Sequence, residues 1–181
     1  MPESPRLSSS EIGILWMTYQ QKTMVLMMLE YFIEKADDEE AKKIMTEVQV
    51  QIQPYIQKIE ELFKAENIAV PIGFTKEDVN KEVPKLYDNG FDIMLLRMLK
   101  EISMGMHTLN ITMTYRADIT MMFRELTQNT QKFYDDCTQY LLEKGLLPRS
   151  PYVATQKPVE HVKGTNYLGV QFERKAGTEY S

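Results

Sequence analysis

The sequence is poor in the residues that build metal cages, disulfides and phosphate-binding loops. It contains one cysteine, Cys137, and two histidines, His107 and His161, among 181 residues. An internal disulfide is therefore excluded, and a metal cage would have almost no nitrogen or sulfur ligands. The eight glycines stand singly along the chain, which excludes a glycine-rich phosphate loop. We expect no cofactor and no catalytic residue, and hence a protein that is not an enzyme.

Basic residues and long apolar runs are also scarce. The 21 Lys and Arg residues against 26 Asp and Glu residues give a net charge of −5, and the basic residues form no cluster that would neutralise phosphates, so we expect no nucleic-acid partner. The longest apolar run, residues 24–29, is far shorter than the ~18 residues that span a bilayer. The first ten residues lack a signal-peptide pattern. We expect a soluble, cytoplasmic protein with no membrane span.

Proline positions and apolar periodicity predict four helices followed by a tail. Residues 6–53 and 85–147 contain no proline, and their apolar residues recur every three or four positions, as in amphipathic helices. The predicted helices are A (about 9–35), B (about 38–65), C (about 90–115) and D (about 119–144). The proline-containing residues 148–181 are predicted to form an extended tail that lies along the bundle.

Capping signals support these helix ends. Ser8 and Glu11 form a predicted capping box at the start of helix A. Asp37 and Asp118 are the predicted N-caps of helices B and D. Gly145 is the predicted C-terminal glycine of helix D.

The lengths of the connections predict the topology. The A–B and C–D connections are short, so each pair is antiparallel, whereas residues 66–90 are long enough to cross the whole bundle. Helices B and C then run parallel, as in the one-crossover arrangement of ferritin-like bundles. We therefore predict an all-α, ferritin-like four-helix bundle over residues 1–147, with one long crossover between helices B and C.

Each helix carries an apolar stripe that we assign to the core. The stripe of helix A contains Ile12, Leu15, Tyr19, Thr23, Leu26, Glu30 and Ile33. The stripe of helix B contains Met45, Val48, Ile52, Tyr55, Ile56, Ile59 and Phe63. The stripe of helix C contains Phe91, Leu95, Met98, Leu99, Ile102, Met106, Leu109 and Met113. The stripe of helix D contains Ile119, Met122, Leu126, Phe133, Cys137, Tyr140 and Leu141.

Helix A also has an apolar line on the side opposite its core stripe. This line consists of Ile14, Met17, Met24, Met28 and Phe32. Contiguous exposed apolar patches usually mark interfaces, and closed two-fold dimers are the commonest soluble assemblies. We predict a homodimer through this line; the competing interpretation is that the tail covers it within one chain.

Glu30 is the only acidic residue in the core stripe of helix A and the one candidate metal ligand. A di-iron centre would need Glu-x-x-His pairs; none occurs, and His107 lies well away from the predicted inner stripe of helix C. We expect Glu30 to be satisfied by a neighbour near Tyr140. A cavity around Tyr19, Glu30, Tyr55 and Tyr140 is the alternative site, and Cys137 is predicted to be a buried, unreactive thiol.

Several segments are similar to a known family. They are Leu15-Trp-Met-Thr-Tyr19, Tyr31-Phe-Ile-Glu-Lys35, Val70-Pro-Ile-Gly-Phe-Thr-Lys-Glu-Asp-Val-Asn80, Tyr115-Arg-Ala-Asp-Ile119 and Leu142-Glu-Lys-Gly-Leu-Leu-Pro-Arg-Ser-Pro-Tyr152. Together they resemble family 3231 of domains of unknown function, ferritin-like helical proteins of Bacillus relatives, some of which carry a spore-coat label.

The resemblance implies a structural or interaction protein of the spore coat, with other coat proteins as partners. Many members of that family look like two such bundles in tandem, which favours pairing of two single-bundle chains. The alternative is a small-molecule-binding or degenerate metal-binding protein of the same fold, with its site at the cavity around Glu30.

Overall fold

A computed structural model describes residues 5–88 and 90–153 of the chain. Its four long helices are α1 (Ser9–Lys35), α2 (Glu39–Ala65), α3 (Phe91–Ile111) and α4 (Ala117–Glu143). Within the described ranges there is no β-strand, and the crossover between α2 and α3 contains one short 3-10 helix, Lys76–Asp78. The predicted all-α bundle with one long crossover is confirmed.

The chain divides into two units, Met1–Pro148 and Arg149–Ser181. Of the second unit the structure describes residues 149–153, which are exposed and lack regular secondary structure. The rest of the predicted tail, including His161, lies outside the described residues. No helix in the described part of the chain is long and apolar enough to cross a membrane.

The predicted ends of α1 and α4 are confirmed by their hydrogen bonds. The Ser8 side chain accepts the N–H of Glu11 at 3.2 Å, and the Glu11 carboxylate accepts the N–H of Ser8 at 2.9 Å, which is a reciprocal capping box. At the end of α4, Gly145 has a φ of 70°, and the N–H of Leu146 donates to the carbonyl of Leu141 at 2.8 Å. This left-handed glycine ends α4 as expected.

The predicted N-caps of helices B and D are wrong by one or two residues. Asp38, not Asp37, caps α2, because its carboxylate accepts two helix N–H groups at 3.0 Å. Asp37 instead forms an ion pair of 2.6 Å with Lys85 of the crossover. Asp118 lies inside the first turn of α4, where it pairs with Arg116 at 2.8 Å, and the helix begins at Ala117.

Helix α3 ends at Ile111, four residues before the predicted end, because the following backbone bonds elsewhere. The carboxylate of Glu11, at the start of α1, accepts the N–H groups of Tyr115 and Arg116, both at 2.8 Å. Glu11 is almost fully buried. This contact between residues more than one hundred positions apart fixes the α3–α4 turn against the beginning of α1.

The four helices pack as two antiparallel hairpins. The start of α1 lies beside the end of α3, where the Ser10 hydroxyl donates to the carbonyl of Met113 at 3.0 Å. The end of α1 lies beside the start of α3, where Tyr87 contacts the rings of Phe32 and Phe91 with centroid separations of 5.5 and 5.6 Å. Helices α1 and α3 are therefore antiparallel neighbours, and α2 and α3 run parallel across the bundle, as predicted.

The crossover packs along α1 and explains why that helix is apolar on nearly all sides. Gly73 has a φ of 69°, and a Cβ atom there would lie 2.8 Å from Cε1 of Tyr19, so only glycine allows this close approach. The N–H of Phe74 donates to the Thr23 hydroxyl at 3.1 Å, and Met27 beside it is buried. The crossover thus forms a second packing surface for α1.

The predicted core stripes of helices B and D are confirmed. Every predicted residue of the helix D stripe is buried, and so is every predicted residue of the helix B stripe except the half-buried Tyr55. The stripe of helix A is rotated from its predicted position, because Ile14 and Phe32 are buried while Leu26 and Glu30 are half-buried.

The predicted core stripe of helix C is wrong. Most of its residues face outward, with exposed fractions of 49% for Phe91, 49% for Met98, 57% for Ile102 and 56% for Leu109. Leu95, Leu99 and Met106 are half-buried, and Leu95 packs against the core. The buried residues of α3 are instead Asp92, Ile93, Leu96, Lys100, His107 and Asn110. The prediction assumed that the more apolar side of an amphipathic helix faces its own bundle. In α3 the inward side is the more polar one.

Candidate functional site

Three basic side chains from two helices meet in the interior of the bundle. Lys22 comes from α1, and Lys100 and His107 come from α3; their exposed fractions are 5%, 5% and 0%. Nζ of Lys22 lies 2.9 Å from Nε2 of His107. These three residues are called the basic cluster below. Buried lysines are rare unless they are paired, which makes this cluster the first candidate for a functional site.

Helix geometry brings these residues together. Lys100 and His107 are seven residues apart, about two helical turns, so both project from the inward side of α3. Lys22 projects from α1 one turn after Thr18, which is also buried. The Thr18 hydroxyl donates to the carbonyl of Ile14 at 2.7 Å. The hydroxyl hydrogen of Thr18 is therefore not available to the basic cluster.

Helix α4 supplies the apolar wall of the site. The Phe133 ring lies 5.6 Å from Nζ of Lys100, and the Phe123 ring lies 6.2 Å from the ring of His107. A lysine above an aromatic face gains some electrostatic stabilisation, but the ring does not replace a hydrogen-bond acceptor. Cys137 is fully buried, and burial raises the pKa of its thiol to about 12. The predicted buried thiol is confirmed, and at neutral pH it is protonated.

Burial and mutual repulsion weaken the basicity of the cluster. Burial, followed by the charge of Lys100, lowers the pKa of Lys22 to about 7. Burial likewise lowers the pKa of Lys100 to about 8. Burial and the two lysine charges lower the pKa of His107 to about 2. Among residues 5–88 and 90–153, neither lysine forms an ion pair that would offset these effects.

The protonation of His107 follows from these interactions. Burial and the two lysine charges keep the ring neutral, and a protonated Lys22 amino group, which can only donate, places its hydrogen bond on Nε2. The proton of the neutral ring is then on Nδ1. Nδ1 is buried and has no hydrogen-bond partner in the described structure. The basic cluster therefore contains a buried donor, the Nδ1–H of His107, for which the described structure supplies no acceptor.

The chemistry of this site does not fit a di-metal carboxylate centre. Such centres in four-helix bundles need inward carboxylates and two Glu-x-x-His pairs. The inward positions here carry two amino groups and one imidazole. Within the described ranges, no group of three His, Cys, Asp or Glu side chains is placed to hold a metal ion. Hydrogen-bond donors dominate the site, and donors of this kind bind anions.

The four residues predicted to line a cavity have separate partners. Tyr19 donates to Glu60 of α2 at 2.8 Å. Tyr55 accepts from the side-chain amide of Asn129 at 3.0 Å, and Tyr140 is buried in the core. These contacts do not bring the three tyrosines together around Glu30.

Glu30 has a different neighbour from the one predicted. It forms an ion pair of 2.9 Å with Lys81 of the crossover rather than a contact with Tyr140. It also lines an open cavity of about 520 Å³ together with Lys42, Lys76 and other residues of α1, α2 and the crossover. Tyr19, Tyr55 and Tyr140 do not line this cavity. Glu30 is thus satisfied by a partner that the helical pattern alone did not reveal.

The apolar line predicted as an interface on helix A is largely covered. Ile14 and Phe32 belong to the core, which contradicts their prediction as interface residues. Met28 lies under the crossover, where it shares a cavity of about 360 Å³ with Val79 and Val83. Met24 is half-buried and Met17 is exposed. The sequence suggested a second chain or the tail as the cover, whereas the crossover covers the C-terminal part of this line.

A second candidate feature was missed because its residues were assigned to the core. It is the outward stripe of α3 and of the turn that follows it, called the apolar face of α3 below and formed by Phe91, Leu95, Met98, Ile102, Met106, Leu109 and Met113. Leu95 and Met106 are half-buried and the other five are exposed. Residues 102–115 contain no Asp, Glu, Lys or Arg. Charged residues normally line the outer side of a surface helix. Their absence was the signal in the sequence that this outer side is unusual.

The fold and this interior define a class: a ferritin-like four-helix bundle with basic rather than acidic residues at its centre. The chain belongs to the family described as protein of unknown function DUF3231, whose model matches residues 1–159. The family resemblance noted from the sequence segments is confirmed. No curated protein matches the chain.

Solved structures share this fold at low sequence identity. A protein from Bacillus halodurans, described as "a putative spore coat protein", is similar with a TM-score of 0.74 and 16% identity over 83% of this chain and 98% of that one. A two-domain protein from Anabaena variabilis with DJ-1/ThiJ/PfpI-like and ferritin-like domains is similar with a TM-score of 0.61 and 18% identity. That match covers 87% of this chain and 42% of the other. These similarities confirm the ferritin-like fold.

Proposed function

We propose that this protein is a non-catalytic structural protein of the spore coat that forms a homodimer through the apolar face of α3. The observation that carries the proposal is the reversed orientation of this helix, whose apolar side is exposed. Covering an exposed apolar surface of this kind with another surface removes it from water, which is favourable. The proposed interface lies on α3 and replaces the one predicted on helix A.

The spacing of the apolar face favours a second copy as the covering surface. Its seven residues follow one another at intervals of 4, 3, 4, 4, 3 and 4 positions, which read the same in both directions. A two-fold axis through Ile102 would place each residue opposite another member of the face. Met98 would face Met106, Leu95 would face Leu109 and Phe91 would face Met113. A second α3, running antiparallel, matches the whole face in this way.

The electrostatics of the face also favour self-association. The chain carries a net charge of −5, so two copies repel each other at long range, and a contact surface without charged residues adds no further repulsion at short range. The apolar face contains no charged residue. Antiparallel α3 helices also place opposite ends of the two helix dipoles side by side, which is favourable.

The size of the face is adequate for a stable contact. Along α3 itself the face extends over ~30 Å at 1.5 Å per residue, and Met113 lies in the turn beyond the helix. Half-exposed large side chains along this length, together with their neighbours, would bury roughly 600 to 800 Å² per partner, which approaches a standard interface.

The coat assignment is supported by the Bacillus halodurans structure, whose description names a spore coat and which is matched over 98% of its length. A symmetric dimer suits a coat component, because each copy keeps its remaining surfaces for other coat proteins. The proposal predicts that a fluorescent fusion of the full chain, expressed in a sporulating Bacillus, collects around the forming spore. A fusion that stays diffuse throughout sporulation would contradict the coat role without affecting the dimer.

Light scattering on the full-length chain tests the dimer. Ile102→Lys places a charge at the proposed two-fold axis, and we expect it to convert a dimer into a folded monomer. Met121→Lys is the matched control, because Met121 is 58% exposed on α4, outside the apolar face, against 57% for Ile102. The control should remain a dimer. A wild-type chain that is monomeric at high concentration would overturn the proposed self-association.

A further inference from the structure

We propose that the basic cluster is a binding site for one small monovalent anion, of the size of chloride or acetate, held between α1 and α3. The inference concerns the interior of a single bundle and goes beyond the proposed dimer. It rests on the convergence of Lys22, Lys100 and His107, and on the unpartnered Nδ1 of His107.

The hydrogen-bond donors of the basic cluster outnumber its acceptors. Each protonated lysine offers three N–H donors and no acceptor, and neutral His107 offers one of each. The acceptor, Nε2, is used by Lys22 at 2.9 Å. The Nδ1–H of His107 is buried without a partner, and Lys100 has the ring of Phe133 rather than a carboxylate beside it. Buried donors are normally satisfied, and an anion would accept from several of them at once.

The charged groups that act on the basic cluster are themselves basic. The titratable groups that act on the two lysines and His107 are the cluster's own members and the Cys137 thiol of α4. No carboxylate from α1, α2, α3 or α4 is among the groups that shift their pKa values. Two ammonium groups in an apolar interior repel each other, and a bound anion would neutralise one of the two charges.

The surroundings limit the size and class of the ligand. Phe123 and Phe133 form apolar walls, and no member of the cluster lines the open cavities of about 520, 360 and 270 Å³. Because the three side chains are at most 5% exposed, an occupant between them is a small ion rather than a nucleotide or a sugar phosphate. Binding should be accompanied by proton uptake, because the lysines have pKa values of about 7 and 8 and an anion favours their charged forms.

Thermal unfolding of the full-length chain at neutral pH and constant ionic strength tests the site. Sodium gluconate, a bulky monovalent anion, serves as the reference salt and is replaced stepwise by sodium chloride in one series and sodium acetate in another. A ligand that binds only the folded state raises the melting temperature with each further increase in its concentration. We expect this rise in at least one series: chloride alone would indicate an inorganic ion, and acetate would indicate a carboxylate.

Matched lysine variants identify the location of binding. Lys22→Met removes a cluster member and should abolish the rise, whereas Lys43→Met removes an exposed lysine of α2 and should leave it unchanged. Lys100→Met is the second test if Lys22→Met does not fold. Titration calorimetry of the wild type in two buffers of different ionisation enthalpy should also show proton uptake. Equal melting temperatures in all three salts, or an unchanged rise in both cluster variants, would overturn the proposal.

Discussion

Helices α3 and α4 form one hairpin but distribute their polar and apolar residues in opposite ways. In α4 the apolar stripe, from Ile119 to Leu141, is buried. In α3 the apolar stripe is exposed, and Lys100, His107 and Asn110 are buried in its place. Both helices have a clear helical period in the sequence. The comparison shows that periodicity identifies the two sides of a helix but does not determine which side faces the chain's own core.

Truncation of a core residue in α4 should have the largest effect. Leu126 is 3% exposed, and Leu126→Ala should lower the free energy of unfolding by about 2 to 5 kcal/mol through lost burial and a cavity. Urea denaturation monitored by circular dichroism measures the change. A loss below about 1 kcal/mol would mean that α4 does not face the core as described, and the contrast with α3 would disappear.

Local signals were enough to predict α2, α4 and several helix ends. The Ser8–Glu11 capping box and Gly145 involve residues within one or two turns of each other, so their sequence patterns were sufficient. The stripe of α4 was correct because the more apolar side of this helix is also its buried side. These features depend little on residues far away in the chain.

The orientation of α3 depends on distant residues and was not predictable from its own pattern. His107 is buried because Lys22, 85 positions earlier, supplies its hydrogen bond. The end of α3 depends on Glu11, which binds the N–H groups of Tyr115 and Arg116. Glu30 likewise has its partner, Lys81, in the crossover. Polar pairs of this kind carry no periodic signal, so the candidate site became visible only in the structure.

The pH dependence of stability should reveal the polar interior of α3. A base whose pKa is lower in the folded protein than in the unfolded chain binds fewer protons when folded, so the free energy of unfolding rises with pH between the two values. For Lys22 this range begins at about 7, and for Lys100 at about 8. Each should contribute up to about 1.4 kcal/mol per pH unit. Above pH ~9 the Cys137 thiol opposes the rise, because its pKa is raised on folding.

Urea denaturation at several pH values between neutrality and the thiol range measures this slope. Lys22→Met should reduce the slope, because it removes one of the two titrating amino groups. It also leaves the buried Nε2 of His107 without its donor, so we expect a lower free energy of unfolding at neutral pH together with the smaller slope. Lys43→Met, at an exposed position, is the control and should keep the wild-type slope. A wild-type slope of zero or of opposite sign would contradict buried, weakly basic lysines in α3 and α1.

Truncation of a residue on the apolar face of α3 should have the smallest effect on the free energy of unfolding of a single chain. How this effect changes with protein concentration shows what covers the face. Ile102 is 57% exposed, so Ile102→Ala should change the free energy of unfolding by at most about 0.5 kcal/mol where the protein is monomeric. The stability of a dimer depends on protein concentration. The loss caused by Ile102→Ala should therefore grow as concentration rises, whereas the loss in Leu126→Ala already has its full size in the monomer. A loss at Ile102 that is large and equal at all concentrations would show that a segment of the same chain covers α3.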